Sequence, residues 1–128
     1  MRLLLDTCTF LWVVGGARQL SARAREAFVD PANELFLSAA SAWEIAVKHR
    51  LGRLPLPEAP AAFVPEQRAA HGIEPLDVDE EAALHIARLP DLHRDPFDRM
   101  LVAQALVGSL VLLTPDESIR QYPARTLW

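Results

Sequence analysis

Four acidic side chains lie where a strand or loop of the predicted fold passes into a helix, and together they could bind a divalent metal ion. They are Asp6, Glu44, Asp98 and Asp116. Carboxylates gathered without a cationic partner close in sequence repel one another unless a cation joins them. Four oxygen ligands without histidine suit Mg²⁺ or Mn²⁺ and argue against zinc. Such a site fits phosphodiester cleavage, because the metal activates an attacking water and stabilises the leaving oxygen.

Helix capping is the alternative explanation for the same residues, because each acid is close to the start of a predicted helix. The predicted capping groups are Asp6 for the first helix, Ser41 paired with Glu44, Asp95 ahead of Asp98, and Glu117 rather than Asp116. Taken singly, each position favours capping. A shared metal site is favoured only if the fold brings the four acids to one place.

Short apolar runs alternate with helical segments along the sequence, and this order predicts a fold that would bring the acids together. The predicted strands are 3–5, 35–37, 73–76 and 110–113, with a possible edge strand at 125–128. The predicted helices are 7–14, 21–29, 41–51, 61–70, 79–89, 96–107 and a short helix from 115. This alternation predicts an α/β fold with a central parallel sheet of four or five strands and helices on both faces.

An open parallel sheet brings the carboxyl ends of its strands to one edge, and ligands bind there where the strand order reverses. Asp6 and Asp116 directly follow strands, and the helices that carry Glu44 and Asp98 begin at the same edge. We therefore expect the four acids to face one crevice. Asp79 follows a strand at the predicted margin of the sheet, so we interpret it as a helix cap only.

Length and composition predict one domain, residues 1–128, with enough apolar residues for a core. A net charge of −4 argues against a protein that coats nucleic acid, although not against an enzyme that holds RNA locally. The single cysteine, Cys8, excludes an internal disulfide and a thiolate metal site. No apolar run is long enough for a signal peptide or a membrane span, so we expect a soluble cytoplasmic protein.

Four segments of the sequence resemble one known family. They are Leu3–Thr7, Leu37–Ile45, His93–Ala105 and Leu113–Asp116. Together they resemble the PIN-domain nucleases, and especially the VapC-type toxins of prokaryotic toxin–antitoxin pairs. The resemblance covers essentially the whole chain, and the block from Asp95 to Ala105 is its most specific part.

The resemblance implies a three-layer α/β/α fold and an endoribonuclease that depends on Mg²⁺ or Mn²⁺. It also implies a homodimer and a VapB-like antitoxin whose tail occupies the active-site groove. The family's acids fall on Asp6, Glu44, Asp98 and Asp116, with Asp95 as a less certain fifth. Thr7 and Thr114 match hydroxyl positions beside the acids, where we expect substrate contacts. Cys8 departs from the family, whose close members often carry histidine there.

Basic residues near the acids are candidates for binding RNA phosphates. Lys48 and Arg50 follow Glu44 on its helix, where they could instead stabilise the helix C-terminus. Arg99 could bind phosphate or pair with Asp95 or Asp98.

Other residues near these segments are interpreted as structural. His85 and His93 are interpreted as surface or core groups rather than ligands, and Trp12 and Trp43 as core or interface residues. Apolar helix surface that includes Trp12 and the Val13–Val14 pair favours a dimer interface.

Three other functions fit parts of the sequence. A phosphatase with Asp6 as nucleophile needs a second acid at the position of Cys8, and a phosphoacceptor receiver domain needs a lysine after a late strand. A PIN-like module that only binds protein or RNA remains open, and a nuclease assay with and without EDTA discriminates it from an enzyme.

Overall fold

The computed structural model describes residues 1–16 and 18–128, which fold around one parallel β-sheet. Its strands are β1 (Arg2–Leu5), β2 (Glu34–Ser38), β3 (Ile73–Leu76), β4 (Val111–Leu113) and β5 (Thr126–Leu127). The sheet has five strands in the order β3-β2-β1-β4-β5, and every pairing is parallel. The predicted sheet is confirmed, including the edge strand β5 and the marginal position of β3.

The helices follow the predicted segments closely. They are α1 (Thr7–Val14), α2 (Ala22–Val29), α3 (Ala39–Arg50), α4 (Pro60–Ala70), α5 (Glu80–His85), α6 (Pro96–Gly108) and α7 (Glu117–Arg120). A 3-10 turn, Ile86–Arg88, extends α5. Among the described residues no helix has the length and apolar character needed to cross a membrane.

Successive side chains of β1 point to opposite faces of the sheet, and helices cover both faces, so the protein has three layers. Leu3 and Leu5 belong to one apolar cluster, together with residues of α1, α2, α3 and α4. Leu4 belongs to the cluster on the other face, together with residues of α6 and α7. All three leucines are fully buried, and each such burial contributes about 1.5–3 kcal/mol. The expected helix–sheet–helix arrangement is confirmed.

The strand order reverses between β1 and β4, which are neighbours in the sheet. The chain runs outward from β1 through β2 to β3, and then returns to the other side of β1 with β4. At the carboxyl edge the Asp6 backbone N–H donates to the Leu113 carbonyl at 3.2 Å. The crevice in which ligands bind to open parallel sheets therefore lies directly beside Asp6.

Two predicted capping boxes are wrong, and both errors concern the site. Helix α3 begins two residues earlier than predicted, and Ser38 caps it by accepting a hydrogen bond from the Ala40 N–H at 3.0 Å. Glu44 therefore lies beyond the first turn and is free of capping. At α7 the cap is Asp116, which accepts from the Ser118 N–H at 2.8 Å, rather than Glu117.

Candidate active site

Asp6 occupies the N-cap position of α1, but its side chain makes no capping hydrogen bond. Its Oδ2 instead accepts from Thr114 Oγ1 at 2.6 Å and from Cys8 Sγ at 3.5 Å. Burial raises the pKa of Asp6, against the smaller effect of these hydrogen bonds, and the charge of Asp116 adds to the rise. The capping interpretation is therefore wrong for Asp6, whose buried carboxyl group belongs to the crevice.

Glu44 is almost completely buried on α3 and each of its oxygens has a partner. Its Oε1 accepts from Thr7 Oγ1 at 2.8 Å, and Oε2 forms an ion pair with Lys48, one helical turn along. The Glu44 carboxylate raises the pKa of Lys48 through this hydrogen bond. The expectation that no cation lies close in sequence to the acids is therefore wrong for Glu44.

Asp95 and Asp98 both lie at the start of α6, but only Asp95 caps the helix. Asp95 is the predicted N-cap, with Oδ1 accepting from the N–H groups of Phe97 at 2.8 Å and Asp98 at 3.3 Å. Asp98 is buried, and its Oδ2 lies 2.9 Å from His93 Nε2. Burial raises the pKa of Asp98 to about 7. The His93 hydrogen bond opposes this rise, and the nearby charges of Asp6, Asp95 and Glu44 add to it.

Asp116 completes the crevice from the end of β4. One ligand atom from each of His93, Asp98 and Asp116 lies within 4.8 Å of the other two. His93 was interpreted as a surface or core group rather than a ligand, and the loop before α6 places its ring against Asp98. The predicted acids thus converge, but a histidine lies among them.

The donor set fits a divalent cation. Asp6, Glu44 and Asp98 are each less than a tenth exposed, and carboxyl groups that are buried together are costly when all are ionised. A bound cation would relieve that cost at Asp6 and Asp98, whose pKa values are raised. Asp6, Asp98 and Asp116 are the residues that would hold the ion, with Glu44 beside them.

A family model of the PIN domain matches residues 3–125. The chain belongs to the PIN domain family. Ribonuclease VapC16 of Mycobacterium tuberculosis (strain ATCC 25618 / H37Rv) is 50% identical over 56 residues, which make up 44% of this chain and 40% of that protein. The match thus spans about two fifths of the length of this curated relative.

Solved structures share the fold of this PIN domain along almost its whole length. The crystal structure of VapBC2 from Rickettsia felis, bound to a DNA fragment from its promoter, matches with a TM-score of 0.73 and 12% identity, covering 99% of this chain and 98% of that chain. DNA-bound VapBC from Salmonella typhimurium matches with a TM-score of 0.70 and 22% identity, covering 99% and 97%. FitAcB from Neisseria gonorrhoeae matches with a TM-score of 0.61 and 22% identity, covering 98% and 96%.

Two threonine hydroxyl groups of the PIN domain donate hydrogen bonds to the acids of the site. Thr7 is 6% exposed and binds Glu44, and Thr114 is fully buried and binds Asp6. Both threonines were expected to contact substrate, and that expectation is wrong because their hydroxyls face the carboxyl groups. They fix the direction in which the carboxyl oxygens point, as outer hydrogen-bond partners do in metal sites.

Arg99 does not pair with Asp95 or Asp98, contrary to one expectation. Its guanidinium donates to the carbonyls of Ile86 (3.2 Å), Pro90 (3.0 Å) and His93 (3.4 Å) and to the Tyr122 hydroxyl (3.0 Å). These bonds fix the segment that carries His93. Arg99 also lines an open groove of about 790 Å³ with residues 91–94, so a contact with RNA stays a prediction. Arg50 is exposed at the end of α3.

Two site residues were missed by reasoning from sequence. His93 precedes Asp98 by five positions in a loop, a spacing that gives no helical or strand register between them. Cys8 is the second residue of α1 and donates to Asp6. Burial and then the Asp6 charge raise the pKa of the Cys8 thiol to about 12, so the group stays protonated. Cys8 follows Asp6, the acid at the end of β1, by two positions, and this short spacing could have indicated their contact.

Proposed function

We propose that this PIN domain is a metal-dependent endoribonuclease and the toxin of a VapBC-type pair. The observation that carries the proposal is that the buried carboxyl groups of Asp6, Glu44 and Asp98 and the partly exposed one of Asp116 lie around one crevice. The ribonuclease relative and the VapBC structures support it. The cofactor is Mg²⁺ or Mn²⁺, and the protein acts in the cytoplasm, where its RNA substrate is found.

A bound divalent ion supplies an activated water and neutralises charge on the phosphate that is cut. The residues of the chain supply the positioning. Asp6 is held by Thr114 and Cys8, and Glu44 by Thr7 and Lys48, so these carboxyl oxygens are fixed before substrate arrives. Fixed groups need no reorganisation at the moment of reaction, which lowers the barrier.

Cations on two sides of the acids would bind the phosphates of the RNA strand. Lys48 and Arg50 lie on the α3 side, and Arg94 lies in the open groove beside His93. A few such contacts hold a strand locally even though the net charge is −4, because the charges of the distant surface are screened.

The decisive experiment is RNA cleavage by the purified chain with Mg²⁺ or Mn²⁺ and with EDTA. We expect cleavage only with metal, and loss of cleavage in Asp6→Asn and Asp98→Asn. The matched control is Asp79→Asn, which changes an acid that caps α5 through the Ala82 N–H at 2.8 Å, away from the crevice. Metal binding without cleavage in the parent would instead favour the PIN-like binding module.

The proposed partner is a VapB-like antitoxin that covers the crevice. The solved neighbours named above are VapBC and FitAcB assemblies, which supports such a pair. Cleavage by the purified chain should therefore stop when the product of a small adjacent gene is added in equal amount. Full activity of the mixture would count against the toxin assignment and leave the nuclease assignment intact.

The surface that was expected for the homodimer is partly covered within the chain. Trp12 packs against Trp128 with ring centroids 6.0 Å apart, and Val13 is buried. Exposed apolar residues instead form a stripe on α3 with a spacing of four: Trp43 is 61% exposed, Val47 36% and Leu51 60%. A groove of about 360 Å³ lies beside Trp43, with Phe97 and Val78 among its lining residues.

We propose that two copies pair through this face of α3. Its C-terminal end carries the exposed Leu51, whereas the apolar groove lies at its other end. A two-fold axis near Val47 would place each Leu51 against the other copy's groove. Light scattering should show a dimer for the parent and a monomer for Leu51→Glu. Val29→Glu, at an exposed site on α2, is the control and should remain dimeric.

A further inference from the structure

One nitrogen atom that the four-acid description leaves out lies among the oxygen atoms of the site. His93 Nε2 lies 2.9 Å from Asp98 Oδ2, and its distance to the nearest ligand atom of Asp116 is no more than 4.8 Å. Three atoms with this spacing can all approach one ion after small side-chain rotations. The imidazole is about one quarter exposed, so the ring has room to rotate.

The backbone that carries the ring is fixed. The His93 carbonyl accepts from the Arg99 guanidinium and from the Tyr122 hydroxyl, each at 3.4 Å. Arg99 also binds the carbonyls of Pro90 and Ile86, which anchors the segment that leads to the ring. A ligand that is already placed loses little conformational entropy when an ion binds. The segment is therefore built to hold His93 at the crevice.

The chemistry of the donor set decides which ion it favours. Mg²⁺ binds carboxylates and waters, whereas imidazole is a good ligand for first-row transition-metal ions. A set of one nitrogen and two carboxylates therefore discriminates against Mg²⁺.

We propose that His93 is a metal ligand together with Asp98 and Asp116, and that it gives the site a preference for first-row transition-metal ions over Mg²⁺. The inference rests on the proposed function only in that the crevice holds a divalent ion. It goes beyond that function because it names the ligand that selects the ion. The competing explanation is that His93 only donates a hydrogen bond to Asp98 and positions it.

Pulsed electron paramagnetic resonance of Mn²⁺ bound to the purified protein tests the ligand directly. We expect a ¹⁴N coupling from a bound imidazole in the parent, and its loss in His93→Ala. His93→Gln is the informative second variant, because its amide nitrogen reaches the position of Nε2 and can still donate to Asp98, but the side chain has no ring nitrogen. His85→Ala, which changes a histidine in the last turn of α5, is the control and should keep the coupling.

Calorimetric titration with Mn²⁺ and with Mg²⁺ tests the selectivity. The Mn²⁺ affinity should fall by about 10–100-fold in both His93 variants, at least as much as for loss of an outer-sphere partner. The Mg²⁺ affinity should stay nearly constant. Melting curves establish that each variant is folded.

The outcomes separate this inference from the proposed function. Mn²⁺ bound to the parent without ¹⁴N coupling, restored Mn²⁺ affinity in His93→Gln, or equal losses for both ions would overturn the inference and leave the nuclease intact. Failure of the parent to bind either ion would overturn both.

Discussion

Replacing Asp98 with asparagine should stabilise the metal-free protein at pH 8 while it abolishes cleavage. The folded protein raises the pKa of Asp98 from 3.8 to about 7, chiefly by burial. The folded state then holds a proton that the unfolded chain releases near pH 4. The stability contributed by this proton is present below pH 4 and is lost as the pH rises to about 7. Asparagine is neutral and keeps the shape, so the variant does not undergo this loss.

The magnitude follows from the shift. One pKa unit corresponds to about 1.4 kcal/mol, so the shift has a ceiling of roughly 4 kcal/mol. Water contact and the neighbouring charges reduce this to about 1–3 kcal/mol. Loss of an acid near the α6 N-terminus costs about 0.5–1 kcal/mol in the opposite direction. The net gain of up to about 2.5 kcal/mol corresponds to a rise in melting temperature of up to roughly 10 °C at pH 8.

Thermal melting at pH 5 and pH 8 is the assay, with EDTA and with Mg²⁺. The difference between variant and parent should be larger at pH 8 than at pH 5, and Mg²⁺ should stabilise the parent more than the variant. Asp79→Asn is the control and should show neither effect. A lower melting temperature for Asp98→Asn at pH 8, with an unchanged response to Mg²⁺, would refute the reasoning and leave Asp98 as a helix-start acid only.

Three further predictions concern the groups around the acids. Thr114→Val should lower the free energy of unfolding by about 1–3 kcal/mol in urea titrations, because Asp6 loses a buried hydrogen bond; an unchanged midpoint would contradict this. Lys48→Met should weaken RNA binding in filter assays and flatten its salt dependence, whereas Arg23→Met, on exposed α2, should not. Cys8 should react with iodoacetamide at pH 8 far more slowly in the folded than in the unfolded protein, because its pKa is raised to about 12; equal rates would contradict its contact with Asp6.

The strands and helices could be predicted because their patterns are local. The leucines of β1 and the apolar run of β4 are buried on both faces, which gives continuous apolar segments. The cap of α3 could not be predicted in the same way. Strand β2 runs directly into α3 without a loop, so Ser38 serves as the last strand residue and as the helix cap. The sequence at Ser41 matches a helix cap as well as that at Ser38 does, so sequence alone does not distinguish the two serines.

The grouping of the acids could be predicted from the strand ends and helix starts at one edge of the sheet. The pairing of Lys48 with Glu44 could also have been predicted, because it has the i,i+4 spacing and order of a helical ion pair. The other partners of the acids could not. The placement of His93 depends on how Arg99 binds carbonyls of the preceding segment. Such bonds to backbone leave no periodic pattern in the sequence.

The bond between Thr114 and Asp6 joins residues 108 positions apart, and it has a consequence for folding. A contact between residues so distant in sequence forms only after the long segment between them has closed into a loop. The Thr114 hydroxyl reaches Asp6 only when β4 has paired with β1. The crevice should therefore be completed late in folding, after β1 has paired with β2.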